Sequence, residues 1–290
     1  MQGRSLKGEP MASEATETGF LHHLRTCNSA RLPGDRVPFR IGSAQVGWVK
    51  PALAVALVRF PEIVADAAGI TLVDGARLSV IGRQLVDEGH FRWRREEFDI
   101  RAEPGGDVLA RLDRGALPSF GVEAEGVHVN GLVRRSDGVH VWIARRAADK
   151  LLDPGKLDHI VAGGVPAGLS PAETLVKEAE EEAAIPASLA KQAVPVGLIA
   201  YAMERPEGLR RDRLHCYDLD LPEDFCPHAA DGEVEAFELW PIARVVQTVR
   251  DTDRFKFNVN LVLIDLFLRE RLIVGHEAEE LSAGLRGGTA

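Results

Sequence analysis

The sequence predicts an α/β chain of the α+β kind, in which helices enclose a mixed β-sheet and a smaller α+β unit precedes that sheet. Its 290 residues are about twice the usual length of one domain. Several segments alternate apolar and polar residues as strands do, whereas others have the apolar spacing of helices. A turn-rich segment that contains Pro118 separates the two differently patterned halves.

Composition and charge exclude several classes of protein. With 45% hydrophobic and 27% charged residues, the chain has the composition of an ordinary globular protein. The net charge of -9 argues against a nucleic acid as the main partner, because such binding needs clustered Lys and Arg. No segment reaches the roughly 20 apolar residues that span a bilayer, so we expect no membrane partner. The oligomeric state is left open.

The three cysteines indicate a reducing compartment. Cys27, Cys216 and Cys226 are widely spaced and form no Cys-x-x-Cys pair, so neither a disulfide framework nor a zinc site is predicted. Residues 1–18 lack the apolar stretch of a secretory signal. We therefore expect a cytoplasmic protein.

These patterns divide the chain into four parts. The expected parts are a flexible tail over residues 1–18, an N-terminal α+β domain over 19–118, a second domain over 119–283 and a flexible tail over 284–290. In the N-terminal domain, residues 52–68 have helical apolar spacing and residues 91–100 alternate as a strand does. The aromatic residues Trp48, Phe91 and Trp93 are expected to pack in the core rather than to mark a ligand groove.

The second domain begins with a hairpin. Residues 127–143 alternate around the turn Ser136-Asp137-Gly138, which is typical of two antiparallel strands. Three further strands are predicted over residues 194–203, 214–219 and 235–240, followed by a helix over 258–271. Strands mixed with two substantial helices indicate a sheet between helical layers.

A helix with well-defined ends lies between these strands. Ser170 is a favoured N-cap, Pro171 suits the first helical position and Glu173 completes a Ser-x-x-Glu capping box. The helix is expected to run from Ser170 to Ile185, because the following Pro186 disfavours its continuation.

This helix carries a cluster of carboxylates. Glu178, Glu181 and Glu182 stand at i, i+3 and i+4, so they lie on neighbouring surface and repel one another. They also lie near the C-terminal end of the helix, where the dipole disfavours anions. A divalent cation removes this penalty, and Mg²⁺ prefers oxygen ligands. A solvated acidic face is the alternative, but the preceding Gly163-Gly164 turn favours a metal site.

This pattern resembles the Nudix family. The box of that family reads Gly, five residues, Glu, seven residues, Arg-Glu, an apolar residue, any residue, Glu-Glu, any residue, Gly and an apolar residue. When it is aligned on Glu181-Glu182, the matching positions are Gly163, Glu178, Ala179 and Ile185. The resemblance implies a metal-dependent hydrolase of diphosphate bonds with an α/β/α sandwich.

Three positions of the box differ in this chain. Leu169 stands in place of the first Glu, Lys177 in place of Arg and Ala184 in place of the second Gly. In the family, that Glu and that Arg tie the loop to the helix. We expect Glu173 and Lys177, which are spaced i to i+4, to form a substitute pair.

A wider stretch resembles the Nudix subfamily related to a domain fused to fungal thiamin pyrophosphokinase. The matching segments are Phe120-Gly121, residues 126–131, Asp231-Gly232-Glu233-Val234 and Phe255-Lys256. Members carry an extra domain before the Nudix domain. The resemblance implies hydrolysis of diphosphates of damaged thiamin analogues to monophosphates.

Site residues follow from the box and from charge. Metal ligation is assigned to Glu178, Glu181 and Glu182 and, by resemblance, to the carbonyl of Gly163. The expected cofactor is Mg²⁺, with Mn²⁺ as a second option. Catalytic roles are assigned to Glu181, Glu182 and a carboxylate from outside the helix. Glu233 is the candidate for that carboxylate, with its neighbour Glu235 as the alternative.

Basic residues supply the candidate phosphate contacts. Arg145, Arg146 and Lys150 follow a strand upstream of the box, and Lys256 lies far downstream. Such side chains bind phosphates through charge-assisted hydrogen bonds. A solvated basic turn is the alternative for the first three.

Three functions are compatible with this sequence. The leading hypothesis is a hydrolase of thiamin diphosphate analogues. The second is a pyrophosphatase on a nucleoside diphosphate derivative such as ADP-ribose. The third is a non-catalytic Nudix-like binding module, against which the intact cluster of three glutamates argues.

Overall fold

The computed structural model describes residues 19–229 and 232–287. The tail predicted over residues 1–18 lies outside the described residues, as does Asp231 of the predicted acidic turn. Within the described residues, two sheets and a two-stranded hairpin are joined by helices. This mixed α/β architecture confirms the predicted fold class.

The first half of the chain builds a small sheet with helices. Its elements in chain order are α1 (Phe20–Cys27), β1 (Val37–Ile41), β2 (Ala44–Val49), α2 (Pro51–Leu57), β3 (Ile63–Asp66), β4 (Gly69–Leu72), α3 (Leu78–Asp87), β5 (Glu97–Ile100), β6 (Ala110–Asp113) and α4 (Leu117–Phe120). The four-stranded sheet has the order β2-β1-β4-β3, and β5 pairs antiparallel with β6. A core that includes Phe39, Leu57 and Leu85 joins these elements.

The second half builds a larger sheet between helical layers. Its elements are β7 (Glu123–Arg135), β8 (Gly138–Arg146), β9 (Leu157–His159), β10 (Val161–Gly164), α5 (Pro171–Ala183), α6 (Ala187–Ala190), β11 (Val194–Arg205), β12 (Gly208–Asp220), β13 (Val234–Pro241), α7 (Ile242–Asp251), α8 (Val259–Arg269) and α9 (Gly275–Arg286). The strand order is β11-β12-β7-β8-β13, while β10 pairs with β7 and β9 pairs with β8. The predicted hairpin is therefore formed by β7 and β8.

Both faces of this sheet are covered. Successive strand residues point to opposite faces, so Leu132 and Val141 join a core with α7 and α8. Their neighbours Val133 and Trp142 join a second core with α5. The arrangement is an α/β/α sandwich, with α5 alone on its face among the longer helices of the described chain.

Two predictions for the N-terminal half need correction. The helix expected over residues 52–68 ends at Leu57, and β3 follows it. Pro61 explains this end, because proline disfavours helical backbone at the residue before it. The strand expected over residues 91–100 is limited to β5, since Arg95 has a positive φ of 63° that interrupts extended backbone.

Helix α1 packs with the C-terminal helices rather than with the four-stranded sheet. Phe20 and Cys27 belong to the core of α7 and α8, and the Phe20 and Phe267 rings are 6.1 Å apart. Residues 284–286, expected in a tail, form the last turn of α9. A Cβ at Gly284 would lie 2.3 Å from Leu24, so these ends are in close contact. The boundary at residues 118 and 119 stays a prediction.

A helix that spans a bilayer must be about 20 residues long and mostly apolar. None of the helices described between residues 19 and 287 combines the length and apolar character that crossing a membrane requires.

Replacement of Ala184 by Gly should stabilise the protein. Ala184 ends α5 with a φ of 52°, a left-handed conformation that costs residues with a Cβ about 1 kcal/mol. We expect the free energy of unfolding, measured by urea denaturation, to rise by about 1 kcal/mol. As a control, Ala172→Gly in the first turn of the same helix should lower it. Equal effects of the two changes would contradict this account.

Candidate active site

The predicted capping box is formed and fixes the start of α5. The Glu173 N–H donates to Ser170 Oγ at 3.2 Å, and the Ser170 N–H donates to Glu173 Oε2 at 2.9 Å. Ser170 Oγ also donates to Glu173 Oε2 at 2.6 Å. The helix therefore begins at a defined residue. The turn predicted at Gly163-Gly164 is wrong, because both glycines pair with β7 as the end of β10.

The expected pair of Glu173 and Lys177 is wrong. The Glu173 carboxylate is bound to Ser170, whereas Lys177 Nζ donates to Glu181 at 2.5 Å and to Glu178 at 3.1 Å. The capping box competes for the same carboxylate, and it satisfies an otherwise unpaired backbone N–H. Lys177 consequently lies between two carboxylates of the acidic cluster.

Strand β10 holds two of the three glutamates. Glu182 Oε2 accepts a hydrogen bond from the Ala162 N–H at 2.9 Å. Glu178 lies against Gly163, where an added Cβ would be 2.6 Å from its carboxyl carbon. The absence of a side chain at Gly163 therefore makes room for the Glu178 carboxylate, and both acids lie at the strand.

Burial makes these two carboxylates costly when ionised. Burial raises the pKa of Glu182 well above its usual value, and the negative charges of Asp158, Glu178 and Glu233 raise it further, although the Ala162 N–H opposes this. Burial likewise raises the pKa of Glu178, against the effect of Lys177. A cation beside them would remove the penalty.

Glu181 has a more open position. Its side chain is 50% exposed, compared with 17% for Glu178. The Lys177 ammonium contacts both carboxylates, so Glu181 and Glu178 approach the same cationic group. Glu178 and Glu181 therefore lie close together, whereas Glu182 is the buried member of the three predicted ligands.

A buried charge network lies next to Glu182. Arg146 donates to Asp158 Oδ2 at 2.8 Å and to the carbonyls of Leu152 and Asp153 at 2.8 and 3.1 Å. Lys256 Nζ is 3.7 Å from the same Asp158 carboxylate. Burial alone would raise the pKa of Asp158, but Lys256 and Arg146 hold it well below the usual range. Arg146 and Lys256 are thus engaged with Asp158.

Lys150 and Glu233 form an ion pair at the mouth of this region. Burial opposes ionisation of Glu233, yet the hydrogen bond and charge of Lys150 lower its pKa on balance. Arg145 is placed elsewhere, because neighbouring residues of β8 face opposite sides of the sheet. Its guanidinium contacts Glu238 Oε1 at 3.4 Å instead.

Two cavities share Ala162 in their lining. The smaller one is lined by Arg146, Lys150, Asp158, Glu182 and Glu233, among others. The larger one includes Phe98, Gly163, Arg211, Lys256 and Asn258 in its lining. Four predicted residues therefore share the first cavity, while Gly163 and Lys256 line the second.

The structure adds a buried pair of histidines that the sequence did not indicate. His128 Nδ1 and His159 Nδ1 are 2.9 Å apart, and Asn258 Nδ2 donates to His128 Nε2 at 3.4 Å. One of the two facing Nδ1 atoms therefore carries a proton and the other accepts the hydrogen bond. Burial lowers the pKa of His159 to about 4, so the pair is neutral. In the sequence, His128 and His159 each look like an ordinary core residue of a strand.

The donor set around Glu182 fits a divalent metal. Glu178 and Glu182 both have raised pKa values, and the negative charges of Glu178 and Glu233 act on the buried Glu182, although the oxygens of these three residues do not all lie within 4.8 Å of one another. Hard divalent cations prefer such oxygen ligands. His128, Asp158 and His159 do bring ligand atoms within 4.8 Å of one another. That group is less suitable, because Arg146 and Lys256 already neutralise Asp158.

Comparisons with known proteins agree with this geometry. Residues 19–124 match a domain described as Domain of unknown function (DUF4743), and residues 125–259 match the NUDIX domain. An α/β/α sandwich in which a strand ending in Gly163-Gly164 precedes an acidic helix defines a Nudix-type enzyme, a hydrolase that acts on phosphoric anhydride bonds.

Two plant proteins are similar over most of the chain. Nudix hydrolase 20, chloroplastic, of Arabidopsis thaliana is 36% identical over 277 residues, which cover 88% of this chain and 74% of that protein. Nudix hydrolase 24, chloroplastic, of the same plant is 36% identical over 272 residues with the same coverage. This chain belongs to the Nudix hydrolase family.

Solved structures give more distant similarities. The NUDIX domain of Shewanella oneidensis NrtR, complexed with ADP ribose, aligns with a TM-score of 0.41 at 16% identity. That alignment covers 53% of this chain and 92% of the other.

Replacement of Gly163 by Ala should disable the site without unfolding the protein. The new Cβ would displace the Glu178 carboxylate. A displacement of about 1 Å in a catalytic site lowers kcat by about a hundredfold. Steady-state kinetics and urea unfolding measure the two effects. As a control, Gly197→Ala in β11 should change neither, because a Cβ there meets no atom within 4 Å. Full activity of Gly163→Ala would contradict the placement of Glu178.

Replacement of Glu182 by Gln should abolish hydrolysis and change how stability depends on pH. The raised pKa of Glu182 means that the folded protein binds a proton more tightly than the unfolded chain, whose value is near 4.5. Stability of the metal-free wild type should therefore fall as pH rises above that value. Urea unfolding with a chelator at about pH 5 and about pH 8 should show a smaller fall in Glu182→Gln. Equal falls would contradict this role of Glu182.

Proposed function

We propose that this protein is a Mg²⁺-dependent hydrolase that converts the diphosphate of a thiamin-like compound to its monophosphate and free phosphate. The observation that carries the hydrolytic part is the buried Glu182, whose pKa is raised by burial and by the charges of Asp158, Glu178 and Glu233. Glu182, Glu233 and Lys150 line the small cavity, which shares Ala162 with the larger one. The first would take the phosphates and the second the organic part of the substrate.

The metal-binding role is proposed for Glu178, Glu182 and the carbonyl of Gly163. Glu181 is proposed as a further ligand, because its carboxylate and that of Glu178 already contact one cationic group, Lys177. When bound, Mg²⁺ or Mn²⁺ would neutralise phosphate charge and lower the pKa of a water molecule. Lys177 would then keep the exposed carboxylates oriented.

Proton transfer is proposed for Glu233. The Lys150 ammonium holds its pKa low, so Glu233 is ionised at neutral pH and can accept a proton from water. A phosphate arriving in the small cavity would attract Lys150 away from Glu233. That movement would raise the proton affinity of the carboxylate when the substrate is in place.

The basic residues divide into two roles in this proposal. Lys150 contacts phosphate, because its ion pair lies at the cavity and its partner is half exposed. Arg146 and Lys256 instead hold Asp158, which leaves Arg146 two of its five N–H donors and gives it a positioning role. Arg145 has no proposed role, because Glu238 binds it on the other face of β8.

The thiamin-like organic part is supported by the subfamily resemblance and by the lining of the larger cavity. Arg211 lines this cavity and donates to the Gly121 carbonyl at 3.2 Å. Two carboxylates also line it, but Asp212 is paired with Arg210 and Glu125 with His215. A cation in this position would repel the positively charged thiazolium ring of thiamin. An oxidised ring without that charge would escape the penalty, which gives preference for the damaged compound.

A substrate panel tests this proposal. We expect kcat/KM with Mg²⁺ to be highest for the diphosphate of the oxo-analogue, lower for thiamin diphosphate and lowest for ADP-ribose. A tenfold advantage of ADP-ribose, about 1.4 kcal/mol, would require the nucleotide alternative. Absence of hydrolysis for all three would favour a binding module.

Variants of Arg211 test whether its positive charge, rather than the shape of the cavity, causes the preference for the oxo-analogue. Arg211→Gln should narrow the difference in kcat/KM between the oxo-analogue and thiamin diphosphates, because the repelling charge is removed. Arg211→Lys is the matched control, since it keeps the charge and should keep the preference. An unchanged preference in Arg211→Gln would remove Arg211 from the account of specificity.

The cytoplasmic location stays a prediction. The two plant relatives are named chloroplastic, and that word describes those proteins. Microscopy of the tagged full-length protein in its own cells would test it.

A further inference from the structure

We propose that strand β5 of the N-terminal unit positions the active-site loop, with Phe98 and Asp99 as positioning residues. This loop is residues 164–169, which comprise the last residue of β10 and the connection from it to the N-cap of α5. The inference rests on the proposed function, because it concerns the segment that follows Gly163 and leads to the three glutamates. It assigns a role to residues within the DUF4743 match.

The loop cannot fix its own backbone through side chains. Its sequence is Gly164-Val165-Pro166-Ala167-Gly168-Leu169, which contains no polar side chain. The Leu169 N–H donates within the loop to the Pro166 carbonyl at 3.2 Å, but the other backbone N–H groups need partners from elsewhere, and an unrestrained loop loses order. The Val165 N–H donates to the Glu125 carbonyl at 2.9 Å, within the second half of the chain.

Strand β5 supplies the next two partners. The Ala167 N–H donates to the Glu97 carbonyl at 2.7 Å, and the Gly168 N–H donates to Asp99 Oδ2 at 3.1 Å. One main-chain and one side-chain acceptor of β5 therefore bind consecutive residues of the loop. These bonds come from about 70 residues earlier in the chain.

Phe98 holds the beginning of the same loop. Its ring is buried, and a Cβ at Gly164 would lie 2.5 Å from its Cζ atom. Gly164 therefore allows the ring to lie directly against the backbone next to Gly163. The ring also lines the larger cavity, so it connects loop position with the space proposed for the substrate.

Asp99 is itself held firmly by its own unit. Arg111 Nε donates to Oδ1 at 3.1 Å, and Arg101 Nη2 donates to Oδ2 at 3.2 Å. The side chain is only 11% exposed. Two arginines therefore fix the carboxylate that receives the Gly168 N–H, which makes it an anchor rather than a mobile surface group.

The test compares full-length variants at Asp99 by two measurements. Asp99→Ala removes the acceptor, so Mn²⁺ affinity measured by electron paramagnetic resonance should weaken, and kcat should fall by about tenfold to a hundredfold with a smaller change in KM. Asp99→Asn keeps an oxygen that can accept from Gly168, and it should recover most of both quantities.

A matched control lies in the same unit. Asp66 accepts a hydrogen bond from the Ala68 N–H at 2.7 Å in the turn before β4. Asp66→Ala removes a comparable bond far from the loop, so Mn²⁺ affinity and kcat should equal those of the wild type. A loss as large as that of Asp99→Ala would show a general effect of the unit and overturn the proposal.

A second variant covers the case in which Asp99→Ala does not fold. Phe98→Leu keeps an apolar side chain but removes the ring from Gly164, so Mn²⁺ affinity should weaken in a protein with a wild-type circular dichroism spectrum. Wild-type Mn²⁺ affinity in a folded Asp99→Ala, or in Phe98→Leu, overturns the proposal. Because Mn²⁺ binding needs no substrate, this result is separate from failure of the substrate panel.

Discussion

The close approach of α5 to strand β10 is the constraint on which the rest of this site depends. Glu182 takes the N–H of Ala162, and Glu178 occupies the space that a side chain at position 163 would fill. This contact requires a helix that begins at a fixed residue, a strand with glycine at the contact and a loop of defined shape between them. The capping box, Gly163 and strand β5 meet these three requirements.

The two buried carboxylates near that contact, Asp158 and Glu182, differ in the groups that surround them. Asp158 receives Arg146 and Lys256, so the protein itself neutralises it. Glu182 receives a backbone N–H but no cationic side chain among the described residues, and the nearby acids add to its penalty. An uncompensated buried charge is costly unless a ligand supplies the opposite charge. The difference distinguishes the structural role of Asp158 from the metal-binding role proposed for Glu182.

Local signals explain which parts of this arrangement the sequence could predict. Ser170 and Glu173 define the start of α5, and Pro186 limits its end; each acts on backbone within one helical turn of itself. The β7–β8 hairpin follows from the alternation of apolar and polar residues around a short turn. The placement of Asp158 and His159 depends on pairing between strands, which no local spacing records. The spacing of Glu173 and Lys177 predicts an ion pair between them, but the Glu173 carboxylate is bound in the capping box instead. Arg145 and Arg146 looked equivalent in sequence, although adjacent strand positions face opposite sides.

The position of α1 affects how the chain can fold during its synthesis. Cys27 Sγ donates to the Phe257 carbonyl across 230 residues, and Phe20 lies against Phe267. The four-stranded sheet can assemble early, because its contacts are local. Helix α1 must wait on the ribosome until α8 has emerged, and its apolar face stays uncovered for that time. Contacts between such distant segments slow folding and expose apolar surface to other chains. The apolar residues of α1 therefore depend on protection by other means until α8 has been made.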